Sequence, residues 1–268
     1  MAKGHPHCCA QGDAGKSPAR ADDALQVIVP SLTAIPRRWS SLIGGTFIMG
    51  SADTRFPDDG EGPMRPVTIS GFSIACYAVS NLQFGDFVRA TNYTTDAERC
   101  GWSFVFDGLL PETTRSTCTA RARETPWWVS LPHAYWAQPE GPSSTVLDRL
   151  DHPVVHISWN DAQAYCTWSG TRLPTEAEWE MAARGGLERA TYPWGNELHL
   201  GGKHRCNIWQ GVFPDHNTVD DGYLGTAPVH AFEPNGYGLY NVAGNVWEWC
   251  EDYFSPRYHD VTATSDPA

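Results

Sequence analysis

Apolar residues alternate with polar or small ones early in the chain. Gly44-Gly45-Thr46-Phe47-Ile48-Met49-Gly50 has the pattern of a short strand between glycine turns. Pro66-Val67-Thr68-Ile69-Ser70 and Phe72-Ser73-Ile74 continue that alternation. The period then changes, and three helices are predicted from their start signals. Ser80-Asn81-Leu82-Gln83 has the form of a capping box and opens a helix to about Ala90. Ser158, with Asp161 in the first turn, opens a second through Ala162, Ala164, Tyr165 and Trp168 to Gly170. Thr175-Glu176-Ala177-Glu178 is another capping box after Pro174; its helix carries Trp179, Met181, Ala182 and Ala183 and stops at Gly185-Gly186. The remainder reads as loop, including the long stretch from Cys100 to Asp151. So much irregular backbone needs something to pin it, because loops alone leave backbone groups unpaired.

Composition fits that picture. Twelve Trp, ten Tyr and ten Phe sit among 25 Gly and 20 Pro in 268 residues. Aromatics bury much area per residue while Gly and Pro punctuate short elements, so a loop-rich α+β domain is expected rather than a helical bundle. Residues 1–38 lack periodicity and are expected to form a flexible arm, with the folded domain spanning 39–268. His5, His7, Cys8 and Cys9 cluster in that arm but lack a second ligand pair, which is the pattern of an incidental cluster.

The net charge of −12 argues against nucleic acid or an anionic membrane as partner. No apolar run approaches the roughly 20 residues that span a bilayer. Met1 to Asp23 is polar, so a cytoplasmic location is expected. Eight cysteines are scattered without a Cys-x-x-Cys pair, the pattern of small buried hydrophobes. Arg172, Glu176, Glu178 and Glu180 surround a capped helix and read as ion pairs and caps rather than catalytic acids. Trp179, Trp194, Trp247 and Trp249 read as core.

Several runs carry a family resemblance. They are Arg172-Leu173-Pro174-Thr175-Glu176-Ala177-Glu178-Trp179-Glu180, Pro193-Trp194-Gly195, Asn235-Gly236-Tyr237-Gly238-Leu239 and Gly244-Asn245-Val246-Trp247-Glu248-Trp249. With Asn207-Ile208-Trp209-Gln210-Gly211 and His152-Pro153-Val154-Val155-His156, they resemble the formylglycine-generating, sulfatase-modifying enzymes. The likeness runs in order over residues 42–265. It implies a C-type-lectin-like scaffold and two structural calcium ions. By matching positions, one ion would take Asn207 and Asp221 with the carbonyls of Ile208 and Tyr223. The other would take Asn241 and Glu248 with the carbonyls of Gly244 and Val246. Calcium favours such hard oxygens, although the same residues also suit ordinary Asx turns.

The resemblance implies an activity as well: oxidation by O2 of the cysteine in a Cys-x-Pro-x-Arg motif of an unfolded sulfatase, giving Cα-formylglycine. Two cysteines that bind Cu(I) serve it, in a segment that follows the Trp-Glu-Trp motif in the family. No such segment is found between Trp249 and Ala268. The chain as written is therefore expected to be inactive, to bind no Cu(I) and to hold no catalytic residue. Cys206 and Cys250 belong to different loops, and Cys166 is expected to be a reduced helix-packing residue. The alternative is a non-catalytic scaffold that binds a peptide or partner protein.

Overall fold

The computed structural model describes residues 37–53, 56–261 and 263–267. The proposed arm, apart from Arg37 and Arg38, and the His5, His7, Cys8, Cys9 cluster lie outside the described residues. In chain order come strands β1 (Trp39–Leu42), β2 (Gly45–Met49), β3 (Arg65–Ile69) and β4 (Phe72–Ala75), then helices α1 (Asn81–Thr91) and α2 (Asp96–Cys100). Strand β5 (Trp102–Phe106), helix α3 (Glu112–Arg115) and strand β6 (Trp128–Pro132) follow. The last elements are α4 (Trp159–Ser169), α5 (Glu176–Ala183), β7 (Gly211–Val212), β8 (His216–Asn217) and α6 (Tyr258–Val261). This is the loop-rich α+β composition expected. Among the described residues, no helix is long and apolar enough to cross a membrane.

The chain divides into two compact units. The first includes Asn81–Leu150 and Val155–Asp161. Its helix α1 buries Phe84 and Phe87, whose rings meet edge-on at 5.3 Å, with Trp136 edge-on to Phe84 at 5.5 Å. The Cys100–Asp151 stretch is not all loop. It holds the antiparallel pair β5–β6, with Val105 opposite Val129 and Phe104 opposite Ser130. Val105, Val129 and Leu131 are buried while Phe104 and Trp128 stay exposed. Apolar residues on both faces of β5 blur the period-2 signal, and its partner lies far along the chain.

A buried carboxylate organises the same unit. Asp161 is fully buried and accepts hydrogen bonds from Tyr93 Oη at 3.0 Å, the Asp96 N–H at 3.0 Å and the Ser158 N–H at 2.9 Å. The Asp161 N–H donates back to Ser158 Oγ at 3.1 Å, closing a reciprocal cap on α4. Thr95 and Glu98 form a further capping box, on α2 within the stretch that follows the first predicted helix.

The second unit comprises the described parts of Ile35–Ser80, Asp151–Val154 and Ala162–Ala268. β2 and β3 pair antiparallel, Phe47 opposite Val67; β1 and β4 pair around them, Leu42 opposite Phe72. Gly44 turns between β1 and β2 at φ 76°; a Cβ there would sit 2.2 Å from the Ile69 carbonyl oxygen. The core gathers Leu42, Met49, Val67 and Ile69 from the strands and Ala177, Met181 and Ala182 from α5. The α5 capping box is present, Thr175 with Glu178, and is worth about 1 kcal/mol. Arg172 grips Glu178 through two bonds of 2.7 and 2.6 Å, and Arg184 holds Glu180. Glu178 is a cap and an ion pair and Glu180 an ion pair, as their spacing implied, whereas the Glu176 carboxyl is raised by burial and then by the charge of Asp252.

Candidate metal centre

Two loops of the second unit carry the eight predicted calcium ligands. In the first, Asp221 Oδ2 accepts the Ile208 N–H at 3.0 Å and Gln210 Nε2–H at 2.7 Å. Its Oδ1 accepts the Tyr223 N–H at 2.9 Å. One carboxylate thus draws Ile208 and Tyr223 together, and the bond to Tyr223 two residues on is an Asx turn. Gln210, which the sequence reading did not assign, also donates to the Ile208 carbonyl. Asn207 is buried, and its Nδ2 donates to the Gly225 carbonyl at 2.8 Å and to Asn245 Oδ1 at 3.2 Å.

The second loop abuts the first. The Asn245 N–H donates to the Asn207 carbonyl at 2.8 Å. Gly244, at φ 79°, lies so close that a Cβ would meet that carbonyl oxygen at 2.3 Å, so only glycine passes here. Asn241 has φ 53°; its Nδ2 donates to the carbonyls of Pro228 at 3.3 Å and Val229 at 3.0 Å. Its Oδ1 is buried and accepts no hydrogen bond. A buried amide oxygen without a partner costs free energy unless a cation or water meets it. Glu248 Oε2 accepts the Trp179 Nε1–H at 2.7 Å. Surrounding protein pushes the Glu248 carboxyl above its ordinary pKa, which the Trp179 bond only partly offsets. The residue keeps open surface all the same, as expected of a recess rather than a sealed core.

The donor set therefore fits a hard cation best at Asn241, Gly244, Val246 and Glu248. There an amide oxygen is orphaned, and the Glu248 carboxylate accepts one N–H and keeps open surface. At Asn207, Ile208, Asp221 and Tyr223 the carboxylate already serves three N–H donors, so the turn is built without help.

The tryptophans depart from expectation. Trp179 and Trp194 are only half-buried, Trp249 is 50% exposed and Trp247 is 103% exposed. Trp194 stacks on Tyr192 at 5.4 Å and donates Nε1–H to the Glu197 carbonyl. They do not build the core, because aliphatic, alanine and methionine side chains between α5 and the strands already fill it. The backbone of 241–251 is tied by the bonds from the Asn245 N–H to the Asn207 carbonyl and from the Glu251 N–H to the Pro174 carbonyl.

Cysteines behave as buried hydrophobes at Cys76, Cys166 and Cys206, whereas Cys100 is exposed. Burial, then the charges of Glu176, Asp252 and Glu248, push the Cys250 thiol up to about 12. Burial and Asp221 raise Cys206 as well.

Residues 32–265 match the sulfatase-modifying factor enzyme 1-like domain family. A formylglycine-generating enzyme of Thermomonospora curvata is 62% identical over 244 residues, covering 91% of this chain and 77% of that protein. An inactive C-alpha-formylglycine-generating enzyme 2 of Bos taurus is 49% identical over 223 residues, 82% of this chain and 72% of that one. The structure of PvdO from Pseudomonas aeruginosa shares the fold, with a TM-score of 0.53 at 24% identity over 83% of this chain and 73% of that one.

Proposed function

The chain belongs to the sulfatase-modifying factor enzyme 1-like family, and from that membership we propose that it serves the making of Cα-formylglycine. The reaction is oxidation by O2 of the cysteine in a Cys-x-Pro-x-Arg motif. Its partner is a protein, taken here as an unfolded sulfatase polypeptide. The observation that carries this reading is the 62% identity to a formylglycine-generating enzyme across 91% of the chain.

Calcium is part of the proposal. Asn241, Glu248 and the carbonyls of Gly244 and Val246 would hold one ion; Asn207, Asp221 and the carbonyls of Ile208 and Tyr223 would hold the other. Bound calcium supplies fixed positive charge and no redox change. The unpartnered Asn241 Oδ1 and the raised Glu248 carboxyl support the first of these sites.

Copper is not part of the proposal for these 268 residues. Cu(I) asks for soft thiolates held together. Cys206 and Cys250 both have raised thiol pKa values and stay protonated at neutral pH. No chemical step is therefore assigned to copper here. The 268 residues are proposed to supply the scaffold and to make no formylglycine alone. Incubation with Cu(I), O2 and a Cys-x-Pro-x-Arg peptide, followed by mass spectrometry, tests this. Aldehyde well above a no-protein control would overturn it.

The identity to an inactive paralogue favours a second reading, a non-catalytic scaffold that binds peptide or protein. The same assay on the full gene product separates the two. Aldehyde marks the oxidase; peptide binding without aldehyde marks the scaffold. Free thiols at Cys76, Cys118, Cys166 and Cys206 support a reducing, cytoplasmic setting, which cell fractionation checks.

A further inference from the structure

His199 and His204 lie outside both calcium loops and outside the family-like runs. Leu200 and Lys203 pair as an antiparallel bridge, with the Lys203 N–H donating to the Leu200 carbonyl at 3.2 Å. Between them Gly201 and Gly202 have φ of 61° and 77°. Positive φ at both central residues is the two-residue hairpin turn that matches strand twist. Such a turn sets the register: the next facing pair outward is His199 with His204. Facing residues of a pair without ladder bonds bring their side chains closest.

The rings confirm the pairing. Their centroids lie 4.5 Å apart and their planes cross at 66°. His199 is exposed and His204 half-buried, and neither imidazole has a hydrogen bond to another described residue. Period-2 alternation puts Lys203 on the opposite face of the ribbon. Arg205, the nearest arginine in sequence, is drawn over the Trp194 ring at 5.9 Å.

From this juxtaposition we propose that His199 and His204 form a two-imidazole clip for a borderline divalent transition-metal ion such as nickel(II), zinc(II) or copper(II). The geometry agrees. A metal–nitrogen bond of about 2.0–2.1 Å places each ring centre about 3.2 Å from the ion. Two rings at an angle of about 90–109° then have centroids about 4.5–5.2 Å apart, and the observed spacing sits at the lower end of that range. Imidazole nitrogen selects these ions over calcium, which prefers oxygen, so the clip is chemically distinct from the candidate calcium centre. The exposed side leaves the other coordination positions to water. The ion would lock the hairpin just before Cys206 and Asn207.

The test uses tag-free, calcium-loaded, full-length protein. His5→Asn, His7→Asn, Cys8→Ser and Cys9→Ser are introduced so that the N-terminal cluster cannot bind the probe. Nickel(II) is titrated calorimetrically into this background, then into it with His199→Asn, His204→Asn or, as a control, the exposed His230→Asn. The expected result is one saturable site that weakens about tenfold or more, about 1.4 kcal/mol, in each clip variant and not in the control. Excess calcium should not displace it. Circular dichroism should show the variants folded, since both side chains lie on an open turn. An unchanged titration in either clip variant, an equal loss in the control, or displacement by calcium would overturn the proposal.

Discussion

Asn207 and Asn245 bind each other reciprocally. The Asn207 side-chain amide donates to Asn245 Oδ1 at 3.2 Å, and the Asn245 N–H donates to the Asn207 carbonyl at 2.8 Å. Asn245 also brackets Ala227, accepting its N–H at 2.8 Å and donating to its carbonyl at 3.2 Å. The two candidate calcium loops are thus one hydrogen-bonded assembly. Asn245 sits at φ 67°, so Asn245→Gly removes the side chain without backbone strain. That variant should lose about 1–3 kcal/mol of stability in thermal or denaturant unfolding. Calcium affinity should fall at both loops, read by titration. An effect confined to one loop would contradict the coupling.

Chelation should lower the melting temperature of the wild-type chain, because an ion bound only by the folded state stabilises it by mass action. The decisive comparison is Glu248→Gln. With calcium present it should melt lower than wild type. With chelator present the difference should vanish, because the ion that the carboxylate would hold is gone. Melting curves that ignore chelator would leave only turns at both loops.

Asp161 makes a stability prediction in the first unit. Asp161→Ala strands the Tyr93 hydroxyl and the N–H groups of Asp96 and Ser158 at a fully buried position. A loss of about 3–5 kcal/mol is expected, against about half that for Asp161→Asn, which keeps one acceptor oxygen. Urea unfolding measures both. Equal effects would show that the carboxylate charge, lost in both variants, and not the number of acceptor oxygens, sets the cost.

The Arg172–Glu178 pair sets a pH dependence. Burial alone would raise the Glu178 carboxyl, but bonds from Arg172 and the Thr175 N–H outweigh it and hold the pKa below the ordinary 4.5. The pair's contribution is present in full above 4.5 and is lost as pH falls through the lower, folded value. Arg172 is more than half exposed, so screening limits the effect to about 1 kcal/mol. Arg172→Met should flatten the acid limb of the stability profile and change little at pH 7 beyond that amount.

Thiol labelling should follow exposure and pKa. At pH 8 a maleimide should modify exposed Cys100 first. Cys250, pushed up to about 12, should be among the last. Peptide mapping against time checks the order, and early labelling of Cys250 would contradict the assigned surroundings.

The features legible along the chain were local. Caps at Thr175 and Ser158, the glycine turn before β2 and the ion pairs around α5 each involve residues a few positions apart, so their chemistry is written in the spacing. The motifs also carried the family, since they stand in order along the chain. Tertiary structure decided the rest. Strands β5 and β6 pair across a long connection, and a period-2 signal blurred by aromatics on both faces does not say so. Asn207 meets Asn245 because two distant loops close on one another, and Trp179 of α5 meets Glu248 across a long separation in sequence. Trp247 is exposed although tryptophan is usually covered, because cover depends on which neighbours the fold brings near. Burial, pairing of distant loops and the loss of a partner for Asn241 Oδ1 are properties of the packed chain, and no window of residues contains them.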